Sequence, residues 1–577
     1  MNGQMVTQPT GGFLGVNLRR DRLSLADGEM ATAINADLHT QPGVLLLRKG
    51  RSNLQTGLTD QLVRRLARIN STRYQVAGMS LYRAGTSILS SLSANLITTL
   101  TPFRPFNDTA IWAFVADDAV MRKDNGTNLR QWGIDAPTVT PLVAAGSSTG
   151  LTGTYKVRYT YVRLVAGAVA GESNPSTASS GQSLTNQDLS VSNLSTPGDA
   201  QVTHIRLYRT ASGGSQYFYD QDIAVGTTTA LSSQADSALG VALDTDNDVP
   251  PRASWCEEWN GHLWLARDAA NPHYLWRSKR FKPDQWPTDS YLEVGEPDDP
   301  LQCLARRTGL LGVLSRKTKF RIVGNSDSGY VPVEGVSRRG TPCPTAMVNS
   351  EWGTLFVAND GIFSTDFLGL DQELSQQIFP LFDGKTVNDF APINFNAPNA
   401  MSAAVYKNRY YFSYPTGDAT QATILAVYSK DTQHWYFYDH PLRSLYFEED
   451  TQQLTAGGVT GAVFVLEDGD DDAGSSIALD AQTKDYFGAP EHRDALKLFH
   501  YIKVDMDTQG ATVTVKLYVD DTLKRSTTVS TSGRTEQLLP LPEGTLGYRW
   551  RLRFEYTGPT AVKVYGGAAL YLPLQVA

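Results

Sequence analysis

Between Ser254 and Asp268 the chain reads SWCEEWNGHLWLARD, which gathers Cys256, Glu257, Glu258 and His262, with His273 a little further on. Thiolate and imidazole are zinc ligands, and a pair of carboxylates can do acid/base work on a glycosidic bond. The spacing Cys-x5-His-x10-His matches no established zinc pattern. Glu257 and Glu258 are consecutive, so on a strand they point to opposite faces and cannot face one another across a substrate. Trp255, Trp259, Trp264, Trp276 and Trp286 crowd the same region. Exposed, they would stack on sugar rings; buried, they would fill the wedge between packed sheets. Asn260-Gly261 is a strong two-residue hairpin signal, and it folds the stretch back on itself. Leu263 and Leu265 then share one face, with Trp264 and Ala266 on the other, as in a strand with apolar contact on both sides. Glu257 and Glu258 are expected to pair with nearby arginines.

Two acidic runs, DTDNDVP (Asp244 to Pro250) and EDGDDDAG (Glu467 to Gly474), have the composition of calcium loops but not the order of an EF-hand. Both fall at expected domain boundaries, where solvated linkers are the ordinary explanation. There is no G-x-S-x-G elbow, no H-E-x-x-H and no P-loop. The sequence therefore assigns no catalytic, cofactor-binding or metal-binding residue, and a protein that is not an enzyme is expected.

The totals agree. Lysine plus arginine number 51 against 59 aspartates and glutamates, a net charge of −8, which argues against a general electrostatic grip on DNA or anionic membranes. Cys256, Cys303 and Cys343 are too scattered for a disulfide framework and read as reduced, buried small hydrophobes. No signal peptide and no apolar run of about 18 residues is visible, so a soluble protein folding in a reducing cytosol is expected. At 577 residues the chain predicts roughly two to four domains.

The elements that would position these residues are mostly strands. After residue 70 nearly every segment alternates with period two and stops at a Gly, Asp, Asn or Pro cluster. One helix is predicted, in SLADGEMATAINADL, capped by Ser24 or Asp27, with Met30, Ala33, Ile34 and Leu38 on one stripe. Hairpin units recur near residues 261, 308, 353 and 408, about 45 to 55 apart, within reach of the period of four-stranded propeller blades. Two similar units precede a stretch rich in Ser, Thr and Ala. There Tyr155, Val157, Tyr159 and Tyr161 share a face, while the imperfect alternation of Val202, Ile205 and Leu207 suggests a bulge. Near the C-terminus Tyr548, Trp550, Leu552 and Phe554 point one way and Arg549, Arg551, Arg553 and Glu555 the other.

The fold expected is mainly β: a β-propeller platform of about seven blades, an inserted immunoglobulin- or fibronectin-like β-sandwich and a C-terminal β-sandwich. Residues 1–50 form an N-terminal segment whose short helix packs on the propeller, 51–137 the first blades, 138–250 the inserted sandwich, 251–477 the remaining blades and 478–577 the C-terminal sandwich.

Several stretches taken together resemble one family. VNLRRDRLSLADGEMATAINADLHTQPGVLLLRKG (residues 16–50), NGTNLRQWGIDAPTVTP, GESNPS followed by HIRLYRTASGGSQYFY, and SWCEEWNGHLWLARD with HYLWRSKRFKPDQWP are similar to the hub or nozzle proteins of tailed-phage tails, of the tail tubular protein B type known from short-tailed phages. The likeness covers most of residues 15–470. It departs from the family pattern at His262 and Leu263, where a basic residue would precede the apolar one, and at Met30, which replaces the usual alanine.

The resemblance implies a structural virion protein in the tail, assembled in the host bacterial cytoplasm as a ring, usually a homohexamer. Such a ring connects the portal and head-tail adaptor above to fibres, spikes or a needle below, and it lets double-stranded DNA pass at ejection without binding it specifically; no membrane partner is implied. An acidic or neutral chain suits a conduit, because lysines that grasp phosphates would arrest a moving polymer. The competing reading is a receptor- or glycan-recognising tail protein, possibly glycan-processing, on the same propeller. A third, an extracellular adhesin, is disfavoured by the missing signal sequence.

Overall fold

The computed structural model describes residues 4–58, 62–94 and 97–574. The protein is mainly β, built from many small antiparallel sheets. The α-helix found among the described residues is the short turn Phe379–Phe382. Tight turns follow from local chemistry: Asn70-Ser71, Lys407-Asn408 and Asp520-Asp521 each place two consecutive residues at positive φ, as type I′ hairpins require.

The chain divides into two compact units, one of Met1–Ala67, Gln75–Gly78 and Arg339–Ala577, the other of Arg68–Tyr74 and Met79–Arg338. It passes from one to the other inside a four-stranded meander running from Val63–Ile69 to Thr86–Leu89. Three more four-stranded meanders follow in the second unit, from Thr99–Phe103 to Leu129–Gln131, from Trp255–Trp259 to Tyr291–Glu293 and from Leu301–Arg307 to Gly329–Glu334. Between the first two of these three the chain builds three further sheets out of strands between Leu142–Ala145 and Ala230–Ser232. Their core contains Tyr155, Val157, Tyr159 and Tyr161 packed with Ile205 and Leu207, so the alternating tyrosines do face inward. The alternation is imperfect because Val202 lies before the strand His204–Thr210, within which Ile205 and Leu207 do alternate; the register shift of this pair comes after them, between Leu207 and Tyr208, with Asp220 the extra residue of the partner strand Tyr217–Ala224.

The first unit holds three meanders. One runs from Val348–Ser350 to Gln372–Glu373 and one from Ser402–Tyr406 to His434–Tyr438. In the third, Leu442–Glu448, Gln453–Gly458 and Val463–Leu466 are completed by Arg51–Gln55, a strand from the other end of the chain. His434–Tyr438 is not an edge. Gly15–Val16 and Glu29–Ile34 pair beside it, followed by Ile477–Thr483, Trp550–Gly558, Val513–Val519 and Thr522–Val529, giving one sheet of ten strands. A seven-stranded sheet centred on Lys563–Leu574 and Leu496–Asp507 shares its core, with Phe499, Ile502 and Val504 in one cluster with Val515, Leu517, Leu552 and Phe554.

The predicted N-terminal helix is a strand. Glu29–Ile34 pairs in parallel with Gly15–Val16 and antiparallel with Ile477–Thr483, and Met30 to Ala33 are at most 1% exposed. Because both faces are covered, burial has no period, and the stripe of Met30, Ala33, Ile34 and Leu38 that reads as helical only records the residues that happen to be apolar. Tertiary pairing overrides the helix propensity of the alanines. Glu29 accepts hydrogen bonds from Asn17 Nδ2 (2.7 Å) and Ala26 N (2.7 Å). Near the C-terminus Trp550, Leu552 and Phe554 are fully buried as their alternation predicts, whereas Tyr548 precedes the strand and stands 48% exposed.

Candidate functional site

The SWCEEWNGHLWLARD stretch is a hairpin, Trp255–Trp259 against His262–Ala266, turning on Asn260 (φ 55°) and Gly261 (φ 77°). Leu263 and Leu265 enter a core with Phe114, Trp132 and Trp286, while Trp264 turns the other way and meets Tyr330 edge-on at 5.0 Å. Trp259 completes that second cluster, 5.4 Å from Tyr330. Trp255, Trp259, Trp264 and Trp286 are all at most 4% exposed, which leaves no sugar-stacking floor among them. Trp276 is half-buried and lies in an aromatic row on the third and fourth strands of this sheet, 5.0 Å from Tyr291, which stacks on Tyr274 at 4.1 Å.

The groups that could have formed a metal site are engaged elsewhere. The His262 ring nitrogens sit 2.8 Å from Ser278 O and 2.9 Å from Ser326 Oγ. Burial pushes the His262 imidazole below its ordinary pKa and pushes the Cys256 thiol up. His273 packs against Tyr274 instead. Glu258 ion-pairs with Arg306 and accepts a hydrogen bond from Gly261 N (3.1 Å) across its own turn. None of the three cysteines forms a disulfide, and all three are buried.

Both acidic runs are fasteners rather than solvated linkers. In the first, Asp244 binds Lys279 Nζ (2.6 Å), Asp246 accepts Thr288 N (3.0 Å) and Asp248 accepts Asn174 Nδ2 (2.5 Å) and Thr288 Oγ1 (2.6 Å). In the second, Asp468 accepts Ser52 Oγ (2.5 Å), Asp470 binds Lys49 (2.7 Å) and Asp472 receives Arg48 in a bidentate pair at 2.8 and 2.7 Å. The run thus closes on the segment Arg48 to Ser52, next to the place where Arg51–Gln55 completes the last meander.

Arg48 is the centre of this clasp. Its side chain is fully buried; Nε donates to Asn35 Oδ1 (2.7 Å), Nη1 also to Lys49 O (3.0 Å), and Asp439 lies 3.3 Å from Nη2. Asp439, His440 and Asp472 form the one group of potential metal ligands found among the described residues, their ligand atoms within 4.8 Å of one another. His440 is held neutral, its pKa driven well below the ordinary value by burial, with Arg48 and Arg51 adding to the effect. Neutral imidazole is a competent ligand, but a divalent ion here would have to displace the guanidinium that already occupies both oxygens of Asp472. The chemistry the arrangement supports is charge neutralisation.

Two more buried networks were not visible in the sequence. In the first unit Arg409, 4% exposed, binds Glu467 (3.2 Å), whose other oxygen accepts Tyr411 Oη (3.0 Å). Burial, reinforced by the neighbouring Glu467, raises the Tyr411 and Tyr438 hydroxyls well above their ordinary range. In the second unit Lys123 reaches Asp284 at 2.5 Å with neither side chain more than 1% exposed, and Arg163 binds Asp108 at 2.6 Å, with Asp284 3.8 Å away. Burial lowers the Lys123 pKa while Asp284 pulls it back. Arg163 belongs to the strand Val157–Val165 of the sheets between the meanders, so this network ties those sheets to the meander that carries Lys123. Gln201 adds to the tie, donating to Gly133 O (2.8 Å). The only sequence signals for these networks were isolated charged residues inside apolar strands.

No protein-family model and no curated protein matches the chain. Among solved structures it is similar to an exo-beta-1,3-galactanase from Phanerochaete chrysosporium, at 6% identity and a TM-score of 0.22 over 55% of this chain and 95% of that one. It is also similar to PorZ, a bacterial surface component of the type-IX secretion system of Porphyromonas gingivalis, at 14% identity and a TM-score of 0.23 over 89% and 82%. A third is Hsv2 of Kluyveromyces lactis, at 10% identity and a TM-score of 0.21 over 66% and 97%. At such scores these likenesses carry no argument about chemistry.

Proposed function

We propose that the chain is a structural, non-enzymatic virion protein: a tail nozzle or hub that assembles as a ring, a homohexamer, around a DNA channel. It would sit in the virion tail, joining the portal and adaptor to distal fibres, spikes or a needle and passing DNA during ejection. In this reading the seven four-stranded meanders are the blades of a β-propeller, the last blade closed by Arg51–Gln55. Residues 138–250 are the inserted sandwich and 478–577 the C-terminal sandwich.

The observation that carries the reading is how the charged groups are used. Acidic runs, arginines and a buried lysine that could have made a site are engaged in clasps that fix one segment of β structure to another. A part that transmits force and holds a channel open needs such fastening, and a net charge of −8 suits a conduit for a polyanion. The sequence resemblance to nozzle proteins supports the same conclusion.

A second reading, a glycan-recognising tail protein, is favoured by one feature, the half-buried row Tyr274, Tyr291 and Trp276 beside the exposed Glu293. Electron microscopy of the purified protein and of the virion separates the two. A ring with an axial channel is expected; a trimeric protruding spike, or a monomer that binds or cleaves host polysaccharide, would refute the nozzle.

A further inference from the structure

Two phenylalanines stand out of the second unit side by side. Phe106 is 61% exposed and Phe281 43%, and Phe106 N donates to Phe281 O at 2.8 Å. Phe281 is tightly held: its own N–H donates to Gly261 O (2.6 Å), and its ring lies on the Asn260-Gly261 turn so closely that a Cβ on Gly261 would come within 2.6 Å of it. Its φ of 57° is a conformation that bulky side chains rarely adopt, and such strain tends to collect where a surface has work to do. Within two residues of the two phenylalanines in the chain are the exposed cations Arg104, Arg280 and Lys282, with the Arg280 guanidinium 5.0 Å from the Phe281 ring centre. Aromatic residues and arginine are the residue types enriched at protein interfaces and their hot spots.

Three cations around protruding apolar rings are a poor duplex-DNA site, since paired bases offer nothing for the rings to stack on. They fit a protein surface with an apolar centre in an acidic setting. A second copy of this chain supplies one where Asp366, Asp371 and Glu373 flank two leucines. Its loop between Gly361–Thr365 and Gln372–Glu373 exposes Leu368 (55%) and Leu370 (79%), with Glu373 at its end. The two patches are different, so their contact is heterologous, the kind that generates rings or filaments.

We propose that Phe106 and Phe281, framed by Arg104, Arg280 and Lys282, form the docking surface for a second copy, whose Leu368–Leu370 loop seats on the two rings. The proposal rests on the ring reading above and names the surfaces that build it.

The test uses the full chain carrying Thr109→Cys and Gln372→Cys together, two exposed positions beside the proposed contact but outside it, treated with a short bis-maleimide; Cys256, Cys303 and Cys343 are buried and do not compete. A ladder of covalent multimers beyond the dimer is expected from the double variant and not from either single one. Adding Phe281→Asn, which tolerates the left-handed backbone, should cut the ladder about tenfold without lowering the thermal midpoint. Rings in the microscope without a ladder would overturn this surface and leave the nozzle standing. A ladder with filaments instead of rings would support the surface and sink the nozzle. No ladder and no multimer would overturn the surface, as would salt-sensitive duplex binding abolished by Arg280→Glu, which would give the patch to nucleic acid.

Discussion

Replacing Arg48 by methionine tests whether the clasp holds the first unit together. The substitution keeps an unbranched apolar stem and removes a guanidinium that makes hydrogen bonds to Asn35, Lys49 O and both oxygens of Asp472. Hydrogen bonds to a charged group are worth about 1.5–3 kcal/mol each, but they share one side chain and do not add. The dominant effect is the Asp472 carboxylate left at 13% side-chain exposure without its cation; breaking a buried pair from one side costs about 3–5 kcal/mol. Denaturant unfolding followed by tryptophan fluorescence should therefore show the transition of this unit moving down by that amount, with the slope unchanged. The double variant Arg48→Met/Asp472→Asn should recover part of the loss, because it buries no lone charge, and the double-mutant cycle should give a coupling toward the upper end of about 0.5–3 kcal/mol. A single-variant loss below about 1 kcal/mol, or no coupling, would show that the pair is an accessory of the fold rather than its fastener.

Three other outcomes follow from the same geometry. Gly50→Ala places a Cβ 1.8 Å from Asp471 O, a backbone atom that cannot step aside, so a loss of about 1–3 kcal/mol or more is expected in the same unfolding assay, against a loss of only about 1 kcal/mol for alanine at Gly469, where φ is 79° but the space is open, so that backbone strain alone applies. Folded His440 stays neutral while the unfolded chain takes up a proton below the ordinary value of 6.5; the unfolded state then binds more protons, and stability is lost as pH falls below that value, by up to about 1.4 kcal/mol per pH unit. A pH series of melts on the protein and on His440→Gln should show the variant with the shallower acid limb. Finally, burial raises the thiols of Cys256 and Cys303, so neither should react with an aromatic disulfide reagent until the protein unfolds; rapid labelling of the native protein would contradict their placement.

What the sequence shows and what it hides divide along a physical line. The hairpin at Asn260-Gly261 is legible because its turn is specified by two adjacent residues and its burial by strict alternation. The same holds for the inward row Tyr155, Val157, Tyr159 and Tyr161. The strand Glu29–Ile34 is misread because its identity comes from partners more than 400 residues away, such as Thr32 opposite Gln482, and a stretch buried on both faces has no amphipathic period to betray it.

The clasps are hidden for a related reason. Asp472 and Arg48 are 424 residues apart, and each alone reads as an ordinary solvated charge; the acidic run looks like a linker because composition does not reveal what it will face. Only when the N-terminal strand Arg51–Gln55 takes its place beside Val463–Leu466 do the two ends of the chain acquire a common address, and the basic stretch Arg48 to Ser52 meets the acidic stretch Asp468 to Asp472 in one step. A strand added from a distant part of the chain adds few apolar contacts of its own at an edge, so buried charge pairing is the more selective way to fix its register: a slip by one residue would leave Arg48 and Asp472 both unpaired in the interior, a penalty of several kcal/mol that no alternative register can offset. The acidic run is therefore the device that makes closure unique.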